Sequence, residues 1–441
     1  MESITEEIVR EILLKLPTRD VARCRCVSSQ WRRLLTDPSF IHLHVNAPHV
    51  ISGTGAQALL SMESRDRRIG LEIAIIDVLS GKTMCRVTDL PTRYRPANAC
   101  NGFLLIAHPK NKPVYLCNPI TGEKQKVLPP LEMEHVYRRS YAMGFSPPSG
   151  PYKLFRLCFP YSIHLFETSD NNYMEVYTFG DDSGGSWRRH PYTFPSSNGC
   201  RLRQMPPLLV DGKLYVLMER PGIDTLAEFD RMLVIDVASE AHGMYHLPEN
   251  FIGEVTTSVH AFDMGGRLCI ARHIAGKRLL HFWVMEPLRG QQMDHEKDRS
   301  RWELRYTFYV DEYGRRHDDR QAGGAWLNNG DGMLCYRLGD YLYIYDTTKD
   351  DQQRKTKSDF SEWDQRIQLP AAPSSHKQRW NVYSGYRPSL FSPHNLVCTR
   401  NNDEQEKYEH DLAHALRYKH KHMDPPDCNV RGAKRVRHNN S

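Results

Sequence analysis

The chain has 441 residues, 40% of them hydrophobic, which is enough for a large core and for more than one domain. Its formal net charge is +6, but residues 412–441 hold seven Lys/Arg against two Asp, 7 − 2 = +5; this leaves about +1 for everything before them and argues against a basic, nucleic-acid-binding body. Eleven scattered cysteines without a C-x-x-C pair exclude a zinc knuckle or redox pair and suit a reducing compartment; with no leader-like or span-length apolar run, the expectation is a soluble intracellular protein, cytoplasmic or nuclear or both, without membrane contact.

Residues 1–45 carry an apolar helical period. Ser3 or Thr5 is placed to cap a first helix, with Glu6 and Glu7 in its electropositive first turn. Ile8, Ile12 and Leu16 recur every four residues beside Leu13, and Pro17 ends the helix. Asp20 is placed to cap a second helix with Val21, Cys24 and Val27 as its apolar positions. Ser28 or Ser29 opens a third, which carries Trp31, Leu34 and Leu35 and stops at Asp37-Pro38. Helices this short bury little surface, so the unit is expected to lean on a partner. Residues 46–70 read as a linker.

From residue 71 to about 400 short β-rich runs alternate with Gly, Pro, Asn and Asp, and a unit recurs in fixed order. A small turn precedes an apolar strand at Asn101-Gly102, Asp211-Gly212, Gly265-Gly266 and Asp331-Gly332. A second strand ends in Asx at Asp77, Asn118, Asp236 and Asp346, where the side chain starts a turn by accepting nearby backbone N–H groups. A third exits at Leu-Pro: Leu90-Pro91, Leu128-Pro129, Leu247-Pro248 and Leu369-Pro370. Degenerate copies run from Val176 to Trp187 and from Phe282 to Trp302. About six units at about 40–60-residue spacing predict a propeller of four-stranded blades rather than an irregular β-sandwich. The fold class is therefore α+β and multidomain, three helices followed by a mostly β, propeller-like body. Polar insertions at Gly290–Arg301 and Asp350–Ser361 read as loops, and residues 401–441 as a short helix and a disordered basic tail.

The N-terminal residues closely resemble the F-box. The match is carried by Ile8, Ile12-Leu13, Leu16-Pro17, Cys24-Arg25-Cys26-Val27-Ser28, Trp31, Leu34-Leu35 and Asp37-Pro38-Ser39-Phe40. The family's leading Leu-Pro is replaced by Ile4-Thr5. The remainder is similar to the plant F-box-associated family through Cys100-Asn101-Gly102-Phe103, Cys117-Asn118-Pro119-Ile120-Thr121-Gly122, Met143-Gly144-Phe145-Ser146-Pro147 with Tyr152-Lys153-Leu154, and Tyr386-Arg387-Pro388-Ser389-Leu390. The resemblance implies an F-box bound to a Skp-type adaptor and through it to a cullin scaffold, with the propeller presenting an unidentified protein target for ubiquitin transfer. Ile4, Ile8, Ile12, Leu13, Leu16, Pro17, Val21, Val27, Trp31 and Leu34 are the expected adaptor-binding set, in which interface and internal packing are mixed. Tyr137, Arg138 and Arg139, following Leu128-Pro129-Pro130, are the candidate target anchors in a short loop, since aromatic and Arg residues dominate binding hot spots.

Other chemistry is weaker. Ser80-Gly81-Lys82-Thr83 ends like a phosphate-binding loop, but Ile76 stands where the motif needs Gly, so a hairpin turn is expected. Asp182-Ser183-Gly184-Gly185-Ser186-Trp187 resembles a sialidase Asp-box but occurs once, without a set of arginines and a Tyr nucleophile. His410, His414, His420 and His422 lack the Cys or carboxylate partners that complete a metal site. Cys117 and Cys269 sit in apolar runs and read as small core residues. No catalytic residue, cofactor site or metal ligand is expected. Lys434-Arg435-Val436-Arg437 reads equally as a nuclear address or as a solubilising end. The alternatives to a recruiting subunit are a carbohydrate-binding or glycoside-acting propeller that carries an F-box, and a decoy that holds the adaptor and recruits nothing.

Overall fold

The structure, a computed structural model, describes residues 5–45, 57–62, 72–78, 81–87, 93–108, 110, 112–129, 137–146, 150–160, 172–180, 186–190, 201–202, 206–221, 227–248, 256–274, 277–286, 302–309, 323–327, 332–338, 341–347, 361–369, 380–383 and 386–396. The polar insertions, save Ser361, the Asp-box-like residues before Ser186 and the whole of 401–441 lie outside them.

The chain begins with four helices: α1 (Glu6–Leu14), α2 (Thr18–Cys24), α3 (Ser29–Thr36) and α4 (Pro38–Val45). Ser28 caps α3, its side chain accepting from Trp31 N at 3.1 Å. The cap of α2 is Pro17, not Asp20, which lies inside the helix. A three-helix unit ending at Asp37-Pro38 is corrected to four, because that pair also opens a helix. Proline is pre-organised for the first helical position. The Asp37 carboxylate accepts from Ser39 N at 2.7 Å and Phe40 N at 3.3 Å. The Ser39 hydroxyl and these backbone bonds hold its carboxyl below the usual range.

Six antiparallel sheets follow as the blades of a propeller, each a meander of strands A to D from the axis outward. Blade II consists of Arg95–Cys100, Phe103–Ala107, Val114–Cys117 and Lys124–Val127. Blade III consists of Tyr137–Phe145, Tyr152–Pro160, Tyr173–Thr178 and Trp187–Arg189. In blade IV, Arg201–Leu202 and Leu208–Val210 both pair with Lys213–Pro221, which Ala227–Asp236 and His242–His246 follow. Blade V runs Thr256–Asp263, Leu268–Ile274, Leu279–Met285 and Trp302–Tyr309, and blade VI runs Gly323–Leu327, Met333–Leu338, Tyr341–Asp346 and Gln365–Gln368. Blade I is composite. Its strands B to D are Gln57–Met62, Glu72–Asp77 and Thr83–Val87, and its A strand is Trp380–Tyr383 from the other end of the chain, with Leu59 opposite Tyr383. The expected linker 46–70 therefore contains a blade strand, which the closing partner pulls into the sheet.

Each blade is covered on both faces by its neighbours, so its B strand is largely buried, its C strand mostly so, and their side chains alternate between two cores. Phe103, Leu105 and Ala107 pack toward blade III, while Leu104 and Ile106 pack toward blade I. Six such interblade cores close the ring, the last joining Ala58, Leu60, Ala74 and Ile76 to Cys335, Leu342 and Ile344. Tight A–B turns need two positive φ values, as at Asn101 (48°) with Gly102 (84°) and Asp211 (46°) with Gly212 (70°). Two of the Asx positions act as expected: Asn118 Oδ1 accepts Ile120 N and Asp236 Oδ1 accepts Ser239 N, at 2.9 and 2.8 Å. Outer-strand indoles bond backward across blades, Trp187 Nε1 to Leu128 O at 2.6 Å and Trp302 Nε1 to His246 O at 3.2 Å. The run Phe282–Val284 is not a unit of its own but strand C of blade V; blade I makes the sixth.

Candidate functional site

Packing divides the expected adaptor-binding set. Leu13, Val21 and Leu34 are buried and form the helical core with Leu35, Phe40 and Ile41, so their role is internal. Leu16, Pro17 and Trp31 are half-buried, Leu16 and Trp31 against that core. Ile8, Ile12 and Val27 are 51%, 53% and 63% exposed. Ile8 and Ile12 stand one turn apart on the same face of α1. Leu43 on α4 is also exposed, at 52%. The sequence hides Leu43 behind Asp37-Pro38, a pair that reads as a helix stop. Ile4 lies outside the described residues. A folded module with isoleucines on its surface, and a core complete without them, offers an apolar face for another protein.

The helical core is completed by a residue from far along the chain. Leu390 is fully buried within it, and Phe391 packs at its edge. Arg25 Nη2 donates to the carbonyls of Leu390 at 2.9 Å and Leu35 at 3.3 Å, and Arg25 Nη1 lies 3.6 Å from the Glu123 carboxylate. Leu390 belongs to a strap, residues 386–396, gripped by blade II. The Asn118 side-chain amide donates to the carbonyls of Ser389 and Phe391 at 2.9 and 2.8 Å. The strap passes so close to Gly102 that a Cβ there would meet Ser389 Oγ at 2.1 Å. Beyond shaping their own turns, the motif residues Gly102 and Asn118 thus hold the segment that holds the helices.

This contact fixes which rim of the propeller is occupied. In a four-stranded meander the A–B and C–D turns share one rim, and the B–C and D–A connections share the other. Gly102 (A–B turn of blade II), Glu123 (C–D turn of blade II) and Met84 at the start of strand D in blade I all lie on the first rim; all three touch the strap or the helical module. Tyr137, Arg138 and Arg139 are not loop residues. They begin strand A of blade III, opposite Pro160, Phe159 and Cys158, and so stand at the other rim. Arg139 is half-buried there.

Burial pushes the Cys117 thiol up to about 11 and raises Cys269 too, so both are protonated core residues at neutral pH. Gly81 (φ 66°) turns the chain between two strands of blade I, with Gly81 N bonded to Asp77 O at 2.8 Å, as a hairpin does and a phosphate loop does not. Among the described residues no group of three or more His, Cys, Asp or Glu is placed to hold a metal ion, and no helix is long and apolar enough to cross a membrane.

Comparison with known proteins agrees with this division. The family model of the F-box domain matches residues 1–43, and that of the F-box associated beta propeller domain matches residues 61–313. F-box protein CPR1 of Arabidopsis thaliana is 24% identical over 293 residues, covering 61% of this chain and 66% of that protein. Putative F-box protein At3g23260 of the same plant is 25% identical over 261 residues, covering 56% and 65%. These two alignments span just under two thirds of the relatives' own lengths. Putative F-box protein At5g50220 is 21% identical over 354 residues, covering 79% and 82%. Among solved structures, apo AztD from Citrobacter koseri aligns at 10% identity over 75% of this chain and 99% of its own, with a TM-score of 0.34.

Proposed function

The chain belongs to the F-box proteins that carry an F-box-associated β-propeller, and from that membership we propose that it is a non-catalytic, substrate-recruiting subunit of a cullin-based ubiquitin ligase. Its helical module docks on a Skp-type adaptor, and its propeller presents a protein target for ubiquitin transfer. The observation that carries this reading is the exposed pair Ile8 and Ile12 on a module whose core is closed without them. The mechanism is proximity: a target held beside the charged ubiquitin carrier reacts at a raised effective concentration, with no bond chemistry by this chain.

In this reading the target binds the rim made by the B–C and D–A connections, because the helical module covers the opposite rim at blades I and II. Arg139 with Tyr137 and Arg138 stands at the rim of the B–C and D–A connections. The basic run Lys434-Arg435-Val436-Arg437 serves as a nuclear address in this proposal, so that a chain cut before Asn402 loses nuclear accumulation. The test of the central claim is co-purification of the full chain with a Skp-type adaptor. The pair Ile8→Asp and Ile12→Asp should abolish it in a folded protein, and undiminished co-purification of that variant would remove the assignment.

A further inference from the structure

Where the helical module meets blades I and II there is a cleft of about 460 Å³, a volume within the range of roughly 300–1,000 Å³ typical of small-ligand sites. Arg19, Arg23, Arg25 and Arg32 line it from the helical side, and Met84 and Glu123 from the propeller. Four guanidinium groups therefore share a small space with one carboxylate. Arg23 lies 3.7 Å from Asp20 and Arg25 lies 3.6 Å from Glu123. Among the described residues Arg19 and Arg32 meet no carboxylate. Arg19 Nη1 donates to Met84 Sδ at 3.7 Å, a weak acceptor, and Arg32 Nε donates to the Arg25 carbonyl at 3.3 Å. Arg25 Nε is buried and finds no acceptor among the described residues. Its burial also lowers the Arg25 pKa, a cost that Glu123 offsets only in part.

Each guanidinium presents five N–H donors in a planar fork that fits two oxygens of one oxyanion. Most of the donors around this cleft are not matched by an acceptor from the described residues. We propose that the cleft is a binding site for a small phosphate-bearing anion, either free phosphate or a phosphate monoester, gripped by Arg19 and Arg32 with Arg25 behind them. The small volume suits a compact ion better than a peptide. The arginines that grip the anion all come from the helical module, and the propeller wall contributes Met84 and Glu123. Ile8 and Ile12 do not line the cleft, so a bound anion leaves the exposed isoleucines free.

The test is calorimetric titration of the full chain with orthophosphate and, separately, with glycerol 3-phosphate, at an ionic strength held constant with chloride. Saturable one-to-one binding is expected for at least one of them, and the tighter arm identifies whether the free ion or the ester is the natural source. The double variant Arg19→Ala/Arg32→Ala should bind at least tenfold more weakly. Both positions lie outside the helical core, and far-UV circular dichroism verifies that the helices persist. Lys110→Ala/Lys112→Ala removes the same charge from the opposite rim and should bind as the parent does. No saturable binding in either arm, or equal weakening in the two double variants, would overturn the site. The adaptor takes no part in the titration, so this result is independent of the recruiting role.

Discussion

Leu390→Ala tests whether the F-box of this protein is an independent module. Leu390 is 0% exposed and sits among Leu13, Val21, Leu34, Leu35 and Phe40, although it comes from the strap after the last blade strand. Truncating a buried Leu to Ala costs about 2–5 kcal/mol, transfer and cavity terms together. A module of four short helices has few other buried apolar groups with which to absorb that loss. With about 3 kcal/mol removed and each 1.4 kcal/mol worth a factor of ten, the opening equilibrium of the helices should rise on the order of a hundredfold. The interblade cores do not include Leu390, so the propeller should be spared. Native-state hydrogen exchange read by mass spectrometry resolves the two regions. Amides of α1 to α3 should exchange about a hundredfold faster while blades III to V keep their parent rates. Unchanged exchange in the helices would refute the claim that the strap completes their core, and equal acceleration everywhere would refute local opening.

Further outcomes follow from single contacts. Asn118→Leu strips donors from two strap carbonyls, each worth about 1–3 kcal/mol when left buried and unpaired; exchange across residues 386–396 should accelerate before any blade does. Gly102→Ala combines a φ of +84° with a Cβ clash against Ser389, and a loss of more than about 2 kcal/mol is expected in urea unfolding. Glu240 is buried, which by itself raises its pKa, yet hydrogen bonds from Lys153 and Arg188 bring it below the usual glutamate range. A depressed carboxylate stabilises the fold above its unfolded pKa of about 4.3 and loses that contribution as pH falls through the folded value. The urea midpoint should therefore drop below about pH 4.3 in the parent and drop less steeply in Glu240→Gln; identical slopes would discount the ion pair.

The strands legible in the sequence are those with strong local signals. Strands B, C and D of most blades announce themselves through Gly turns, Asx caps and Leu-Pro exits, all of which are backbone requirements met by particular residues. The A strands are nearly silent. Arg95–Cys100 contains Pro96 and Asn98, Gly323–Leu327 opens with two glycines, and Leu208–Val210 has three residues. Such segments become strands because neighbouring blades enclose them, a tertiary cause that propensity does not register. The A strand of blade I is beyond local reading because its partners lie at the far end of the chain. The adaptor face is half legible: the helical period locates Ile8, Ile12 and Leu13, but only the docked strap and four packed helices separate the surface residues from the core. The contact of Arg25 with Leu390 spans 365 positions and leaves no trace in either segment alone.

The strap and the closing strand lie within a few residues of each other, Trp380–Tyr383 and then 386–396. During synthesis, neither the ring nor the helical core is complete until the ribosome has passed this stretch, although the helices emerge first. The nascent helices therefore wait, unfinished, for nearly the whole chain. A premature stop codon anywhere upstream of Trp380 would remove the ring's closure and the last core residue of the F-box in one stroke. Such a truncated allele should leave no folded fragment able to occupy the adaptor and compete with intact ligase subunits. Early nonsense alleles of this gene are thus expected to be recessive.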